Sequence, residues 1–237
     1  MRIFLAGAAG AIGRRLVPLL VRAGHEVTGT TRSQEKANAL QGQGAIPVIV
    51  DVFDAAALNA AVAAAKPEIV MHQLTDLSAQ NMAEARERNA RIRVEATPIL
   101  VNAAKAVGAR RVVAQSIAFV YAPGREPLDE FAPLNLRSED SSARRSAEGV
   151  AALEKAVLET PGIEGVVLRY GRLYGPGTWS ETASGKAPLH VDAAAHAALL
   201  ALTHGTPGIY NIAEDDGTVS VEKAKRELGF DSSFRLP

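Results

Sequence analysis

The sequence predicts a doubly wound α/β fold, in which a parallel sheet of about seven strands carries helices on both faces. Three observations support this fold class. Short apolar runs alternate with helical patterns along the 237 residues, the runs are continuous, and a glycine-rich turn joins the first run to the first helix. Continuous apolar strands are typical of a parallel sheet that is buried on both faces.

The predicted strands are apolar runs of four to six residues. They are Arg2–Ala6, Glu26–Thr31, Ile46–Val50, Ile69–His72, Arg111–Gln115, Gly165–Arg169 and Gly208–Ile212. Helical periodicity lies between most of them. The predicted helices are Ala11–Ala23, Gln34–Gln41, Ala55–Ala65, Ala79–Val107, Arg144–Leu158 and Asp192–Thr203. Pro98 lies inside the longest of these helices and removes a backbone hydrogen bond, so we expect a kink or a division there.

Composition excludes several classes of protein. Lysine plus arginine and aspartate plus glutamate each number 26, so no basic field for nucleic acid or an anionic membrane is present. No run of eighteen apolar residues is long enough to span a bilayer. Glycines interrupt the apolar N-terminus and Arg14–Arg15 follow it, unlike a signal peptide. The absence of cysteine is compatible with a cytoplasmic location, and no histidine pair has metal-ligand spacing.

The first turn carries the strongest motif. Gly7, Gly10 and Gly13 follow a predicted strand and open a predicted helix, with Ala11 and Ile12 between the last two glycines. Glycines at this spacing allow a tight turn, a close approach of backbone to a pyrophosphate, and close packing of the helix. The helix N-terminus presents free N–H groups to the phosphates. We therefore expect a dinucleotide-binding site.

The end of the second strand indicates the cofactor. NAD sites usually carry an acidic residue about twenty residues beyond the glycine turn, where it binds the ribose 2′-hydroxyl. This sequence has Thr31, Arg32 and Ser33 there. An arginine pairs with a 2′-phosphate, so NADP(H) is preferred and NAD(H) stays possible. Arg14 is expected on the same side. The alternative is that Arg32 is a solvated residue at a strand end.

Several motifs in order resemble a known family. They are GAAGAIG, VIVDV, RVVAQSIAFVYAPG, LRYGRLYGPG and the HVD of His190–Asp192. Together they are similar to the NAD-dependent epimerase/dehydratase family, the extended branch of the short-chain dehydrogenase/reductases. The resemblance runs to about Glu214, and Lys223–Phe230 matches the family's C-terminal helix. It implies a Rossmann domain over residues 1–173 and a reduced substrate lobe over 174–237, interleaved with the last strand in one compact unit.

The resemblance also implies cofactor contacts and a homodimer. Asp51 and Val52 match the pair beside the adenine, although Asp51 is also a candidate helix N-cap, for which Asp54 is better placed. Three residues after the fourth strand match the path from ribose to nicotinamide: Gln73, Leu74 and Thr75. The backbone of Tyr170 matches the position that meets the nicotinamide amide. The homodimer would use the helices predicted at 79–107 and 144–158.

The catalytic residues depart from the family pattern. The family transfers a proton through a tyrosine that is acidified by a lysine four residues later. Alignment of Glu154 with the family's glutamate places Ser146 at the tyrosine position and Val150 at the lysine position. The family's serine or threonine falls on Ile117, one residue after Ser116.

Ser116 and one of two tyrosines remain as catalytic candidates. Ser116 would reach the nicotinamide site after a slight shift of the strand end. Tyr121 is a replacement proton donor, with Tyr170 as a second; ordinary packing is the alternative for both tyrosines.

Two functions stay open. The first is an NADP(H)-dependent oxidoreductase or epimerase that acts on a small hydroxy or keto substrate, such as a nucleotide sugar or a natural-product intermediate. The second is a non-catalytic NADP(H)-binding redox sensor. Only twelve residues separate Gly177 from His190, where the family carries a longer substrate-binding insertion. Trp179 in this segment is a candidate to stack on a ligand or to pack against the domain.

Overall fold

Seven parallel strands form one sheet in the computed structural model, which describes residues 1–76 and 81–236. In spatial order the strands are β3 (Ile46–Ile49), β2 (Glu26–Thr31), β1 (Arg2–Ala6), β4 (Ile69–His72), β5 (Arg111–Ile117), β6 (Glu164–Tyr170) and β9 (Gly208–Ile212). A separate parallel ribbon pairs β7 (Arg172–Tyr174) with β8 (Pro188–His190). The sequence did not predict this ribbon, because three-residue strands are too short to show a pattern.

Helices cover both faces of the sheet, which confirms the doubly wound class. They are α1 (Gly13–Arg22), α2 (Gln34–Gly42), α3 (Ala55–Ala65), α4 (Met82–Arg91), α5 (Thr97–Ala106), α6 (Ser141–Leu158), α7 (Val191–Leu200) and α8 (Glu222–Leu228). Successive side chains of β1 point to opposite faces. Ile3 packs in the core that contains residues of α1 and α7, whereas Phe4 packs in the core that contains residues of α3, α5 and α6.

The strand order reverses at β1. β2 and β3 extend the sheet in one direction from β1, and β4, β5, β6 and β9 extend it in the other. At such a switch the two helices that follow β1 and β4 leave to opposite faces, and a crevice opens at the carboxyl ends of the strands. The glycine turn follows β1, so it lies at this crevice.

The long helix predicted around Pro98 is divided. α4 and α5 are joined by a π-helical turn over Ile92–Ala96, where the amide of Thr97 bonds to the carbonyl of Ile92, five residues earlier. Pro98 follows in the first turn of α5, where a missing N–H costs least. The expected division is confirmed. The first residue of the predicted helix, Ala79, lies outside the described residues.

Gly149 of α6 is expected to be essential for the packing of α6 against α4. A Cβ built at Gly149 would lie 2.9 Å from the Cα of Ala90 in α4. Gly149→Ala should therefore lower the free energy of unfolding by about 1–3 kcal/mol through overpacking, although alanine is the better helix former. Urea titration followed by circular dichroism measures this change.

The matched control is Gly42→Ala in α2, where a Cβ would meet no atom within 4 Å. This variant should be at least as stable as the wild type. An unchanged or increased stability of Gly149→Ala would contradict the tight packing of α4 on α6.

Candidate functional site

A cleft of about 560 Å³ lies at the carboxyl ends of the strands around the switch point. Five segments line it: the glycine turn after β1, the end of β2, the loop after β3, the loop after β4, and the last turn of α4 with Ile92. Most of the predicted cofactor residues therefore lie together. The predicted residues in the lining are Gly7, Gly10, Thr31, Arg32, Asp51, Val52, Gln73, Leu74 and Thr75.

The glycine turn is packed too tightly for side chains at two of its positions. A Cβ at Gly7 would overlap the carbonyl oxygen of Gln73, and a Cβ at Gly13 would overlap the carbonyl oxygen of Gly7. Gly7 also has a φ of +88°. The amide of Gly10 donates to Gly7 O and the amide of Arg14 donates to Gly10 O, both at 3.0 Å. Within the described residues, the amides of 11–13 between them have no backbone partner and are free to bind a pyrophosphate, so the turn fits a dinucleotide.

Ala11, Ile12 and Gly13 are buried in this turn rather than exposed on the cleft wall. The side chains of Ala11 and Ile12 belong to the core on that face of the sheet, together with residues of α1. Only their backbone groups are available to a ligand. Their assignment as cofactor-binding residues stays a prediction, and it concerns backbone contacts alone.

Two cations lie at the end of β2. Arg32 and Lys36 are exposed and line the cleft, and neither takes part in an ion pair within the described residues. Between them, Ser33 caps α2 by accepting a hydrogen bond from the amide of Lys36 at 3.3 Å. The end of β2 is therefore positively charged. Arg14 does not join this group, contrary to expectation, because its guanidinium lies against Gly177 in the loop after β7.

The loop after β3 separates two aspartates with different local roles. Asp54 is the N-cap of α3 and accepts a hydrogen bond from the amide of Ala57 at 3.0 Å. Asp51 accepts from the amide of Phe53 at 3.0 Å and faces the cleft with Val52. The alternative that Asp51 caps the helix is therefore wrong. The guanidinium of Arg91 lies 4.3 Å from the centre of the Phe53 ring and closes this end of the cleft.

The loop after β4 contributes an unused hydrogen-bond acceptor. Gln73 is buried at the cleft, its Nε2 lies 3.4 Å from the hydroxyl of Tyr170, and its Oε1 has no partner within the described residues. A buried amide oxygen without a partner is costly, so a ligand donor would satisfy it. The orphaned oxygen and the glycine turn both fit a dinucleotide that extends past Gln73.

Tyr170 lies beneath this wall rather than on it. Its ring is fully buried, and burial raises the pKa of its hydroxyl further above the ordinary value near 10. Its carbonyl accepts a hydrogen bond from the amide of Ala118 at 2.8 Å. A hydroxyl with a raised pKa is a poor proton donor near neutrality. The predicted contact of its backbone with a nicotinamide amide stays a prediction.

The two predicted catalytic residues belong to one buried polar network. Glu154 of α6 accepts hydrogen bonds from Ser116 Oγ at 3.1 Å and from Nε and Nη2 of Arg169, both at 2.8 Å. Arg169 Nη1 donates to the hydroxyl of Tyr121 at 2.7 Å, and this hydroxyl donates to Asn211 Oδ1 at 2.6 Å. The network therefore joins β5, β6, β9 and α6 at the carboxyl end of the sheet.

The hydroxyl groups of Ser116 and Tyr121 are both hydrogen-bonded within this network. Neither Ser116 nor Tyr121 lines the cleft, and burial raises the pKa of Tyr121 although Arg169 opposes the rise. In this arrangement both side chains order the strand ends. Their catalytic roles stay predictions.

The positions aligned with the family's tyrosine and lysine carry no proton-transfer group. Ser146 is buried and lines a recess of about 50 Å³ beside Phe119 and Tyr121. Val150, one turn further along α6, packs in a small apolar cluster with Ile117.

Sequence reasoning missed one buried residue near the site. Arg93 lies in the π-helical turn with a relative exposure of 6%, and its Nη1 has no hydrogen-bond partner within residues 1–76 and 81–236. The sequence offered only a weak signal, since arginines are frequent throughout 86–93 and most of them are solvated. Trp179 lies in the loop between β7 and β8 and is half exposed, so its stacking role stays a prediction.

In the described part of the chain, no group of three histidine, cysteine, aspartate or glutamate side chains is arranged to hold a metal ion. None of its helices is both long enough and apolar enough to cross a membrane.

A glycine turn at the switch point of a doubly wound parallel sheet defines the class of dinucleotide-binding Rossmann proteins. The profile described as the NAD dependent epimerase/dehydratase family matches residues 3–207. The chain belongs to this family, as the motifs indicated.

Two relatives show the range of the family. A 3-diazoavenalumate denitrifying reductase from a Streptomyces species is 40% identical over 238 residues, which cover 91% of this chain and 77% of that protein. A UDP-glucose 4-epimerase from Mycolicibacterium smegmatis is 31% identical over 155 residues, which cover 62% of this chain and 49% of that protein. The chain thus spans about three quarters of the first relative and half of the second.

Solved structures share the fold. The UDP-glucose 4-epimerase of Thermotoga maritima, solved with UDP-glucose, has a TM-score of 0.82 at 18% identity and matches 100% of this chain and 95% of its own. A Candida albicans protein in complex with NADPH has a TM-score of 0.79 at 15% identity, over 99% of this chain and 94% of its own. At these identities the likeness concerns the fold alone.

His72 links the cleft wall to the π-helical turn. It is the last residue of β4, its Nδ1 lies 3.4 Å from the amide of Leu74, and its Nε2 lies 2.9 Å from Thr97 Oγ1. Thr97 Oγ1 in turn lies 3.5 Å from the carbonyl of Ile92. With Nδ1 as the acceptor, the ring is neutral and carries its proton on Nε2. Burial, which is the main cause, lowers the pKa of His72 from 6.5 to about 4.

This pKa predicts a loss of stability in acid. Between pH 6.5 and pH 4 the unfolded chain binds a proton at His72 and the folded chain does not, so the folded state loses stability as the pH falls. From pH 7.5 to pH 5 the wild type should lose about 2 kcal/mol more than His72→Gln. Urea titrations at both pH values measure the loss of unfolding free energy in each protein. The contributions of the other histidines are the same in both proteins and cancel in the comparison. Equal losses in the two proteins would refute the buried neutral histidine.

Proposed function

We propose that this protein is an NADPH-dependent reductase of a small organic acceptor. The observation that carries the proposal is the cationic end of β2, where Arg32 and Lys36 line the cleft and the one acid between them, Glu35, does not. A carboxylate would repel a 2′-phosphate, whereas a guanidinium and an ammonium bind it. The adjacent N-terminus of α2 adds a positive dipole end.

The other cleft segments would hold the rest of the cofactor. Asp51 and Val52 would meet the adenine edge and face, and the free amides at the start of α1 would bind the pyrophosphate. The orphaned Oε1 of Gln73 would accept a hydrogen bond from the nicotinamide half. The chemistry that a bound NADPH supplies is the transfer of a hydride to an acceptor.

The residues of α6 restrict the acceptor. With Ser146 and Val150 at the positions of the family's tyrosine and lysine, this chain has no paired proton donor there. A ketone becomes an alkoxide when it accepts hydride and then needs a proton. A diazonium group on an aromatic ring needs none: the hydride pair forms the new C–H bond, the C–N bond breaks, and dinitrogen leaves with the electron pair of that C–N bond. The Streptomyces relative is named for the reduction of a diazo compound.

We therefore propose an acceptor that takes hydride without a proton from the protein, with an aromatic diazonium as the leading class. The segment of twelve residues between Gly177 and His190 favours a compact natural-product intermediate over a nucleotide sugar. We also propose a cytoplasmic homodimer, in which the exposed Met82 of α4 and Val94 of the π-helical turn would lie at the interface.

A non-catalytic NADP(H)-binding sensor is the second candidate. The absence of a tyrosine and a lysine at Ser146 and Val150 favours it. Such a protein would keep the cleft and the glycine turn for binding and would lack turnover with any acceptor.

The cofactor preference is testable by titration. We expect the wild type to bind NADPH at least tenfold tighter than NADH, and Arg32→Ala to remove most of this preference while the NADH affinity changes less than twofold. A charged hydrogen bond of about 1.5–3 kcal/mol accounts for a change of this size. Lys36→Ala should have a smaller effect in the same direction.

Nucleotide fluorescence gives the dissociation constants. Arg22→Ala is the matched control, since Arg22 is exposed in the last turn of α1 and does not line the cleft. Equal affinities of the wild type for the two cofactors would defeat the assignment of Arg32.

Turnover separates the reductase from the sensor. With 4-carboxybenzenediazonium and NADPH deuterated on one face of C4, the wild type should form benzoate that carries the deuterium, at equal rates in H₂O and D₂O. 4-Acetylbenzoate should react much more slowly, because its alkoxide needs a proton. Gly13→Val, whose side chain would overlap the carbonyl of Gly7, measures the uncatalysed reaction. Tight NADPH binding without turnover on either acceptor would favour the sensor instead.

A further inference from the structure

Arg93 is a buried cation in the middle of the fold. It lies in the π-helical turn between α4 and α5, and its relative exposure is 6%. Its Nη1 is fully shielded and has no hydrogen-bond partner, and no ion pair within the described residues includes it. By contrast, Arg169 is buried to a similar degree and is fully engaged by Glu154 and Tyr121.

The acid that acts on Arg93 does not form an ion pair with it in the described part of the chain. Glu154 is the acid whose charge acts on the pKa of Arg93, but burial dominates and lowers this pKa to about 10. One oxygen of Glu154 accepts from Ser116 and Arg169 Nε, and the other accepts from Arg169 Nη2. Glu130 lies beyond Tyr121, where its carboxylate accepts from the amide of Asn211 at 2.9 Å. One carboxylate of the core thus faces two buried guanidinium groups.

Arg93 does not line the cleft itself but lies beside residues that do. It acts electrostatically on His72, the last residue of β4, and on Glu154, which binds the end of β5 through Ser116. Its chain neighbour Ile92 lines the cleft, as does Gln73 immediately after His72. Arg93 therefore lies at the carboxyl ends of β4 and β5, one strand from the glycine turn on β1. Ligands of doubly wound folds bind at this edge of the sheet.

A buried guanidinium without a partner lowers the stability of the free protein. A protein retains such a destabilising group when the group binds an anionic ligand, because functional sites often keep arrangements that lower stability. In the proposed function the cofactor phosphates would bind at the glycine turn and at the end of β2, so they would leave Arg93 without an anion. The remaining anion is one carried by the substrate.

We propose that Arg93 anchors a carboxylate of the substrate, and thereby selects acidic substrates. The inference deepens the proposed function, on which it rests for the placement of the substrate in this cleft. A guanidinium binds a carboxylate through two parallel hydrogen bonds, which fixes orientation as well as charge. The free Nη1 of Arg93 would hold the carboxylate of an acidic substrate next to the nicotinamide half of the cofactor.

The stability of the free protein is the first test. Arg93→Met keeps most of the side-chain volume and removes the charge, so it should raise the midpoint of thermal unfolding by a few degrees. Arg169→Met should lower it, because Glu154 and Tyr121 would lose their partner. A decrease in Arg93→Met comparable to that in Arg169→Met would show that Arg93 is a structural cation and would overturn the proposal.

Ligand binding is the second test. With saturating NADP⁺, calorimetry should show that the wild type binds benzoate and cinnamate at least tenfold tighter than benzamide and cinnamamide. Arg93→Met should bind acids and amides equally, and Arg93→Lys should keep part of the discrimination. Arg22→Met, the same change at an exposed site, should behave as the wild type. Failure of the acids to bind the wild type more tightly than the amides would overturn the proposal.

The two proposals fail separately. Discrimination of acids from amides that depends on Arg93, in a protein that does not oxidise NADPH, would refute the reductase and keep the anion anchor. NADPH turnover in which Arg93→Met has the same KM as the wild type for 4-carboxybenzenediazonium would keep the reductase and refute the anchor.

Discussion

The contact between the glycine turn and its surroundings is the constraint on which the site depends. Gly7 passes against the carbonyl of Gln73 and Gly13 passes against the carbonyl of Gly7, so neither position has space for a Cβ. This packing brings β1, the loop after β4 and the start of α1 together at the point where the strand order reverses. Within the described residues, the backbone amides of 11–13 have no backbone partner beside this contact, and the side-chain amide of Gln73 is buried at it, so one local constraint shapes the cleft and its hydrogen-bonding groups.

The charge inside the fold is arranged around Glu154 rather than around a tyrosine and a lysine. Its carboxylate joins Ser116, Arg169 and, through Arg169, Tyr121 in a closed network at the ends of three strands. Each member is buried and satisfied, which makes the network a strong determinant of local structure. Arg93 is the member of this region that the network leaves incomplete. Among the residues that the structure describes, the polar core therefore combines a satisfied framework with the unpaired cation of Arg93.

Features that depend on residues close together in the sequence were predicted correctly, whereas a feature that depends on tertiary packing was not. Strands β1, β2, β4 and β9 have the predicted bounds, because each is a continuous apolar run between clear turn signals. Pro98 divided the long helix because the lost hydrogen bond is a local effect. The position of Arg14 was wrong, since the direction of a long side chain depends on what packs beside it, here Gly177.

The sequence by itself determined the doubly wound fold, the family and the dinucleotide cleft, since periodicity, glycine spacing and strand-end residues act within a few positions of the chain. Only the tertiary structure decided which polar groups are satisfied. Glu154 lies 38 residues from Ser116, and the Tyr121 hydroxyl meets an amide 90 residues away. Such partners are chosen by the packing of α6 and β9 against the strand ends. For the same reason Arg93, one of many arginines in its segment, becomes distinctive only once its neighbours are seen to have other partners.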